Sequence, residues 1–150
     1  MLASIVRALF AAALLLAAPE ALASAPRAAQ LQTRAEIAAE RGDTRAAVTL
    51  LHAAVVADPA GASSYVRLGD LYAAMGRANL ARKYFAIALT IEPALPAALK
   101  GIAMLDIAAG NKAAAEATIE YLATICGPDC PEAAQIQKAL TAKADVLDKP

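Results

Sequence analysis

The chain has 150 residues, 59% of them hydrophobic but only 4% aromatic, with two cysteines, no tryptophan, and 14 basic side chains balanced by 14 acidic ones. That balance excludes the basic stripe a nucleic-acid ligand requires, because neutralising phosphates takes an excess of Lys and Arg on one face. Scarce rings and abundant alanine exclude a core built on large aromatics and leave a lean, all-helical chain, since alanine buries little area but lets helices approach closely.

Residues 1–23 have the three-part layout of a secretory signal. Arg7 gives the positive start, Ala8–Ala18 an unbroken apolar core, and Pro19 and Glu20 interrupt it before the small-residue site Ala21-Leu22-Ala23. About 11 apolar residues fall short of the roughly 20 that cross a hydrocarbon layer, so cleavage after Ala23 is expected, with no stable membrane insertion afterwards. The mature chain then begins at Ser24 and is periplasmic or secreted. Cleavage removes one base, Arg7, and one acid, Glu20, so the neutral balance persists. About 125 residues remain, the size of one domain.

Within that domain Gly42, Gly76 and Gly110 recur at a 34-residue step, and the same step carries Ala47 to Ala81 to Ala115. A fixed period of this kind marks a stacked array of helical hairpins. The first copy, 28–61, places Leu31, Ala35 and Ile37 on one helix, Gly42 at the turn, Ala47, Leu51 and Ala54 on a second helix, and Pro59 at its close. Arg34 and Ala38 stand where the middle copy has Leu68 and Tyr72, as suits a terminal repeat whose outer face meets solvent.

The middle copy, 62–95, is the clearest. Tyr65, Leu68, Leu71, Tyr72 and Met75 recur at three- and four-residue steps and form one apolar stripe. Gly69 has no side chain where a partner helix crosses, Gly76 suits a left-handed helix end, and Leu80, Ala81, Tyr84, Phe85, Ala88 and Leu89 repeat the stripe before Pro93. The third copy, 96–127, carries Leu99, Ile102, Ala103, Gly110, Ala115, Ile119 and Leu122, with Asp106 in place of the second aromatic.

The remainder, 128–150, is expected to hold a turn and a capping helix. Pro131 suits a first helical turn, Ile136, Leu140, Lys143 and Leu147 recur at helical spacing with Lys138 and Asp145 outside, and a half-polar helix closes the apolar end of an array. The last three residues are expected to fray. Cys126 and Cys130 enclose Gly127-Pro128-Asp129. In an oxidising compartment an even cysteine count favours a disulfide, here a staple between last repeat and cap. A thiol, redox or metal-handling role for Cys126 and Cys130 is the alternative.

Tyr65, Leu68, Gly69, Tyr72, Gly76, Ala81, Phe85, Ala88 and Pro93 stand at every spacing of one known pattern, and the middle copy resembles a tetratricopeptide repeat (TPR). The resemblance spans nearly the whole mature chain, residues 24–127, and implies an α-solenoid of about three hairpins plus the cap. It also implies a protein or peptide ligand in a concave groove lined by the first helix of each hairpin. Helical phase directs Gln32, Glu36 and Ala39 there from the first copy, Val66, Asp70 and Ala73 from the second, and Lys100, Met104 and Ile107 from the third. Family members that grip a C-terminal carboxylate use several basic and amide residues in this groove. Here Lys100 stands nearly alone against Glu36 and Asp70, which argues against such a clamp and suits an extended segment or a helix with apolar anchors.

No catalytic set is expected. His52 is the sole histidine, Ser63 and Ser64 sit at helix-start positions where a hydroxyl can cap backbone N–H groups, and Asp70 and Asp106 read as solvated acids. There is no Gly-rich phosphate loop, and neither a cofactor nor a metal site is expected.

Overall fold

The computed structural model describes residues 19–147. Its helices are α1 Pro19–Glu40, α2 Thr44–Ala57, α3 Ala62–Ala74, α4 Ala78–Ile91, α5 Pro96–Ala109, α6 Lys112–Cys126 and α7 Pro131–Leu147, with no strand among the described residues. Three hairpins, α1–α2, α3–α4 and α5–α6, stack in chain order and α7 closes the array, so the fold is the expected all-α solenoid. Residues 1–18 of the expected leader and the tail 148–150 lie outside the described residues. The first helix begins upstream of the expected Ala28, at Pro19, and passes through Pro26, and Ala28 is buried.

The periodic glycines end the first helix of each hairpin in one geometry. Gly42, Gly76 and Gly110 have φ of 80°, 71° and 89°, the left-handed region that costs a side-chain-bearing residue energy. In each case the glycine N–H reaches three residues back, as from Gly76 to the Ala73 carbonyl at 2.9 Å, and the next N–H reaches five back, as from Arg77 to Tyr72 at 2.8 Å. This pair of bonds satisfies two carbonyls that would otherwise be orphaned at the helix end. The reversal is tight enough that the second helix starts two residues later, with the Asp43 side chain accepting from the Ala46 N–H in the first hairpin.

Packing in the middle of the array turns on one ring. Phe85 of α4 is 1% exposed, and a Cβ added to Gly69 of α3 or to Gly101 of α5 would lie 2.5 Å or 2.4 Å from its ring carbons. The ring is therefore held between two helices that can approach it only because both lack a side chain at the contact. Around it pack Leu68, Tyr72, Ala81 and Ala88 from the same hairpin, Leu51 from the first and Ala98 and Leu105 from the third. A second cluster, comprising Ala103, Ile107, Ala115, Leu122, Cys130, Ala133, Ile136 and Leu140, joins the third hairpin to α7.

First helices touch across hairpins, α1 with α3, α3 with α5 and α5 with α7, whereas α2, α4 and α6 do not touch one another. The first helices thus form the inner layer, and the stack bends around them.

The closing helix is fastened twice. Cys126 and Cys130 form a disulfide with Cα atoms 5.3 Å apart, and Cys130 is buried in the second cluster. At the other end the Lys143 ammonium donates to the carbonyl of Ile107, which also accepts from the Gly110 N–H, and at 3.0 Å to that of Ala108, at the α5 C-terminus, where the helix dipole favours a cation. Lys143, read from sequence as a member of the apolar stripe, is instead a helix-end ligand. Replacing Cys126 by Ser and Cys130 by Ala, the latter to keep a hydroxyl out of the core, removes a short-loop constraint of about 2 kcal/mol. Faster amide exchange is expected from Pro131 to Leu147, with little change between Tyr65 and Phe85. Uniformly faster exchange along the whole chain would contradict a local staple.

Candidate functional site

The inner layer forms a groove whose floor is supplied by small residues. Between α1 and α3 it opens into a cavity of about 280 Å³ lined by Ala35, Glu36 and Ala39 of α1, Ala47 and Leu51 of α2, and Arg67, Asp70, Leu71 and Ala74 of α3. On the other side of α3 a second cavity of about 440 Å³ is lined by Ser63, Val66, Arg67, Asp70, Glu92, Leu95 and Ala97. Arg67 and Asp70 belong to both, so they form the ridge between the two recesses.

The expected groove residues divide by what they touch. Glu36 pairs with Arg67 across the first recess. Gln32 is committed to structure, because its amide donates to the hydroxyls of Ser63 at 2.9 Å and Ser64 at 2.7 Å. Ser64 is fully buried, so these serines hold α1 to α3, and the N-cap of α3 is Gly61 without a side-chain bond. Ala39 is exposed at the first recess and Ala73 half-buried on α3, while Val66 is buried beneath the second recess. Lys100 donates to the Gln135 side chain of α7 at 3.2 Å, and Met104 is 42% exposed. Ile107 is packed under α7 with Ile136 and Leu140, because the closing helix occupies the place where a fourth hairpin would begin.

Arg67 was not among the expected groove residues. Its only sequence signal is its place three residues before Asp70, one helical turn along the same face.

Asp70 is the electrostatic focus. Its carboxylate reaches solvent, yet the recesses on either side strip enough water from it to raise its pKa above the ordinary aspartate value, against the opposing pull of Lys100 and Arg67. Among the described residues it forms no ion pair and no side-chain hydrogen bond, since Arg67 is engaged by Glu36 and Lys100 by Gln135.

The other polar residues singled out from sequence are placed elsewhere. Asp106 is buried rather than solvated and accepts from Arg82 at 2.7 Å, which ties α5 to α4 on the side away from the groove. His52 is exposed, with Nε2 at 3.5 Å from the Tyr72 hydroxyl and its ring edge-on to Tyr84 at 5.9 Å, while Tyr72 and Tyr84 stack at 5.3 Å. His52 and the serines therefore serve different contacts and do not converge.

Solved structures with the same arrangement cover most of the chain. The first TPR of Spaghetti (RPAP3), bound to the HSP90 peptide SRMEEVD, superposes with a TM-score of 0.68 at 15% identity, over 83% of this chain and 96% of that one. The chain has the tetratricopeptide-repeat fold. The type III secretion chaperone SycD of Yersinia enterocolitica, in complex with a peptide of the translocator YopD, gives 0.65 at 20% identity over 79% and 93%. The Sgt2 TPR domain from Aspergillus fumigatus gives 0.68 at 17% over 82% and 80%. No protein-family model and no curated protein matches the sequence.

Against this TPR frame, the raised pKa of Asp70 carries a stability consequence. The folded state holds the proton more tightly than the unfolded chain, so this group's contribution turns unfavourable as pH rises through the carboxylate range. Asp70→Asn removes that charge. The variant is expected to melt higher than the parent at pH about 7, with the difference vanishing at pH about 3, where both carry a neutral side chain. Thermal melts at the two pH values check this, and a variant less stable at neutral pH would contradict it.

Proposed function

We propose that the chain is an exported TPR interaction module that receives a peptide or helix of a protein partner in its inner groove, within an envelope, secretion or protein-maturation assembly. The observation that carries the reading is the groove itself. It runs along α1, α3 and α5 and opens into a recess of about 280 Å³ floored by alanine and leucine, with the charged side chains of Glu36, Arg67 and Asp70 at its edges. That combination suits a backbone laid along the ridge with side chains entering the recesses. Two of the proteins with this fold, RPAP3 and SycD, were solved with peptides bound, and this supports the same use here. Export rests on the leader pattern of residues 1–23.

The disulfide region supports a second reading. Ligand atoms of Cys126, Cys130 and Glu132 lie within 4.8 Å of one another, and Cys126 is exposed while Cys130 is buried. Reduction of the disulfide would free two thiolates beside a carboxylate, a donor set suited to a thiophilic metal ion with a further ligand from outside.

One purification tests both. The protein recovered from the periplasm is expected to start at Ser24, to have the mass of the disulfide form without metal, and to retain a partner protein that Ala39→Trp loses while its melting temperature is unchanged. Ala39 is exposed at the recess, so an indole there blocks entry without disturbing the core. Equal capture by parent and variant would contradict groove binding. A retained metal ion would overturn the staple, and an intact Met1 on membrane-bound protein would overturn leader cleavage.

A further inference from the structure

Charges across the groove alternate, with Glu36 on α1, Arg67 and Asp70 on α3 and Lys100 on α5. Three of the four are occupied. Arg67 is paired with Glu36, and Lys100 is bonded to Gln135 of the closing helix, which leaves the groove without a free cation among these residues. Asp70 alone stands unpaired, at the ridge between two recesses, directly beside the apolar floor formed by Leu51, Leu71 and Ala74. A ligand carboxylate would have to break an existing pair or face Asp70. A ligand cation meets an acceptor that the protein leaves open.

Resting on the groove reading above, we propose that this groove selects a protein segment bearing an apolar side chain next to a Lys or Arg, with the apolar group entering the recess between α1 and α3 and the cation seated on the Asp70 carboxylate. The occupant is thus a basic, apolar-anchored segment of another protein and not an acidic chain terminus. The geometry gives each half a function: the recess supplies area removed from water, and Asp70 supplies direction and selectivity through a charge-assisted hydrogen bond in a partly desolvated site. The partial desolvation that raises the Asp70 pKa makes the same carboxylate an acceptor that gains from a cationic partner. The like charge of Asp70 disfavours acidic segments, since the neighbouring Arg67 and Lys100 are already engaged by Glu36 and Gln135.

The test selects short peptides from a randomised phage-displayed library on the folded mature protein, then measures synthetic binders by fluorescence anisotropy. Sequences enriched in an apolar residue beside Lys or Arg are expected. Replacing the peptide's cation by Met should weaken binding to the parent about ten-fold, the effect of one charge-assisted bond, and should change binding to Asp70→Asn little. Binders that Ala39→Trp abolishes but that show no cationic preference, or that bind Asp70→Asn and parent alike, would overturn the specificity and leave groove binding intact. Binders indifferent to both Ala39→Trp and Asp70→Asn, or none at all, would overturn groove binding together with it.

Discussion

Phe85 is the fixed point of this molecule. Its ring lies against backbone on two sides, at Gly69 and at Gly101, and this double contact sets how closely α3, α4 and α5 can approach. The first contact closes the middle hairpin on itself and the second docks the third hairpin onto it, so one side chain serves both intra-repeat and inter-repeat packing. With only 4% aromatic residues in the chain, few other rings are available for that role. Interiors packed to near-crystalline density transmit such a constraint outward. Elsewhere in the stack Ala47, Ala54, Ala81, Ala88, Ala98, Ala103 and Ala115 are all fully buried, so small side chains take up much of the helix packing.

The groove is a consequence of that spacing. The first helices converge on the inside, where α1, α3, α5 and α7 touch in series, while the second helices stay apart. Their inward faces also carry small side chains, such as Ala35, Ala39 and Ala74, so what remains between them is a recess and not a filled seam. Polar residues at the ridge then divide into those that hold the scaffold, as Gln32 does with Ser63 and Ser64, and one that is left open, Asp70. The closing helix limits the groove at its far end, where it buries Ile107 and engages Lys100.

Features fixed by local chemistry were legible in the sequence. Gly42, Gly76 and Gly110 mark the three turns because a left-handed residue is needed at each, and Gly69 marks a close crossing within one hairpin. Cys126 and Cys130 are four residues apart, so their pairing needed only the right compartment and a turn. What escaped depends on contacts between repeats. Gly101 breaks the 34-residue step, standing where the middle copy has Arg67, and it has meaning only once the Phe85 ring is seen beneath it. Asp106 occupies an aromatic position and was read as solvated, but Arg82 of the preceding hairpin neutralises it in place. Ile37 follows the apolar pattern of the first helix yet is 41% exposed, since α1 turns its packed face through Ala28 and Ala35. Within the groove, residue position followed from helical phase, whereas which charges were already paired did not, because Glu36–Arg67 and Lys100–Gln135 each join two different helices.

The account's central claim, that the Phe85 ring fixes the approach of the repeats, is tested most directly by a double-mutant cycle of Gly101→Ala and Phe85→Leu in chemical denaturation. In an uncrowded helix Gly→Ala is stabilising by up to about 1 kcal/mol through helix propensity alone. Overpacking at the ring, typically about 1 to 3 kcal/mol, opposes and outweighs that gain here, so Gly101→Ala is predicted to destabilise the parent. In the Phe85→Leu background the crowding is relieved and the same substitution is predicted to be neutral or stabilising, giving a coupling energy well outside additivity. A Gly101→Ala change that stabilises both backgrounds equally would contradict the account.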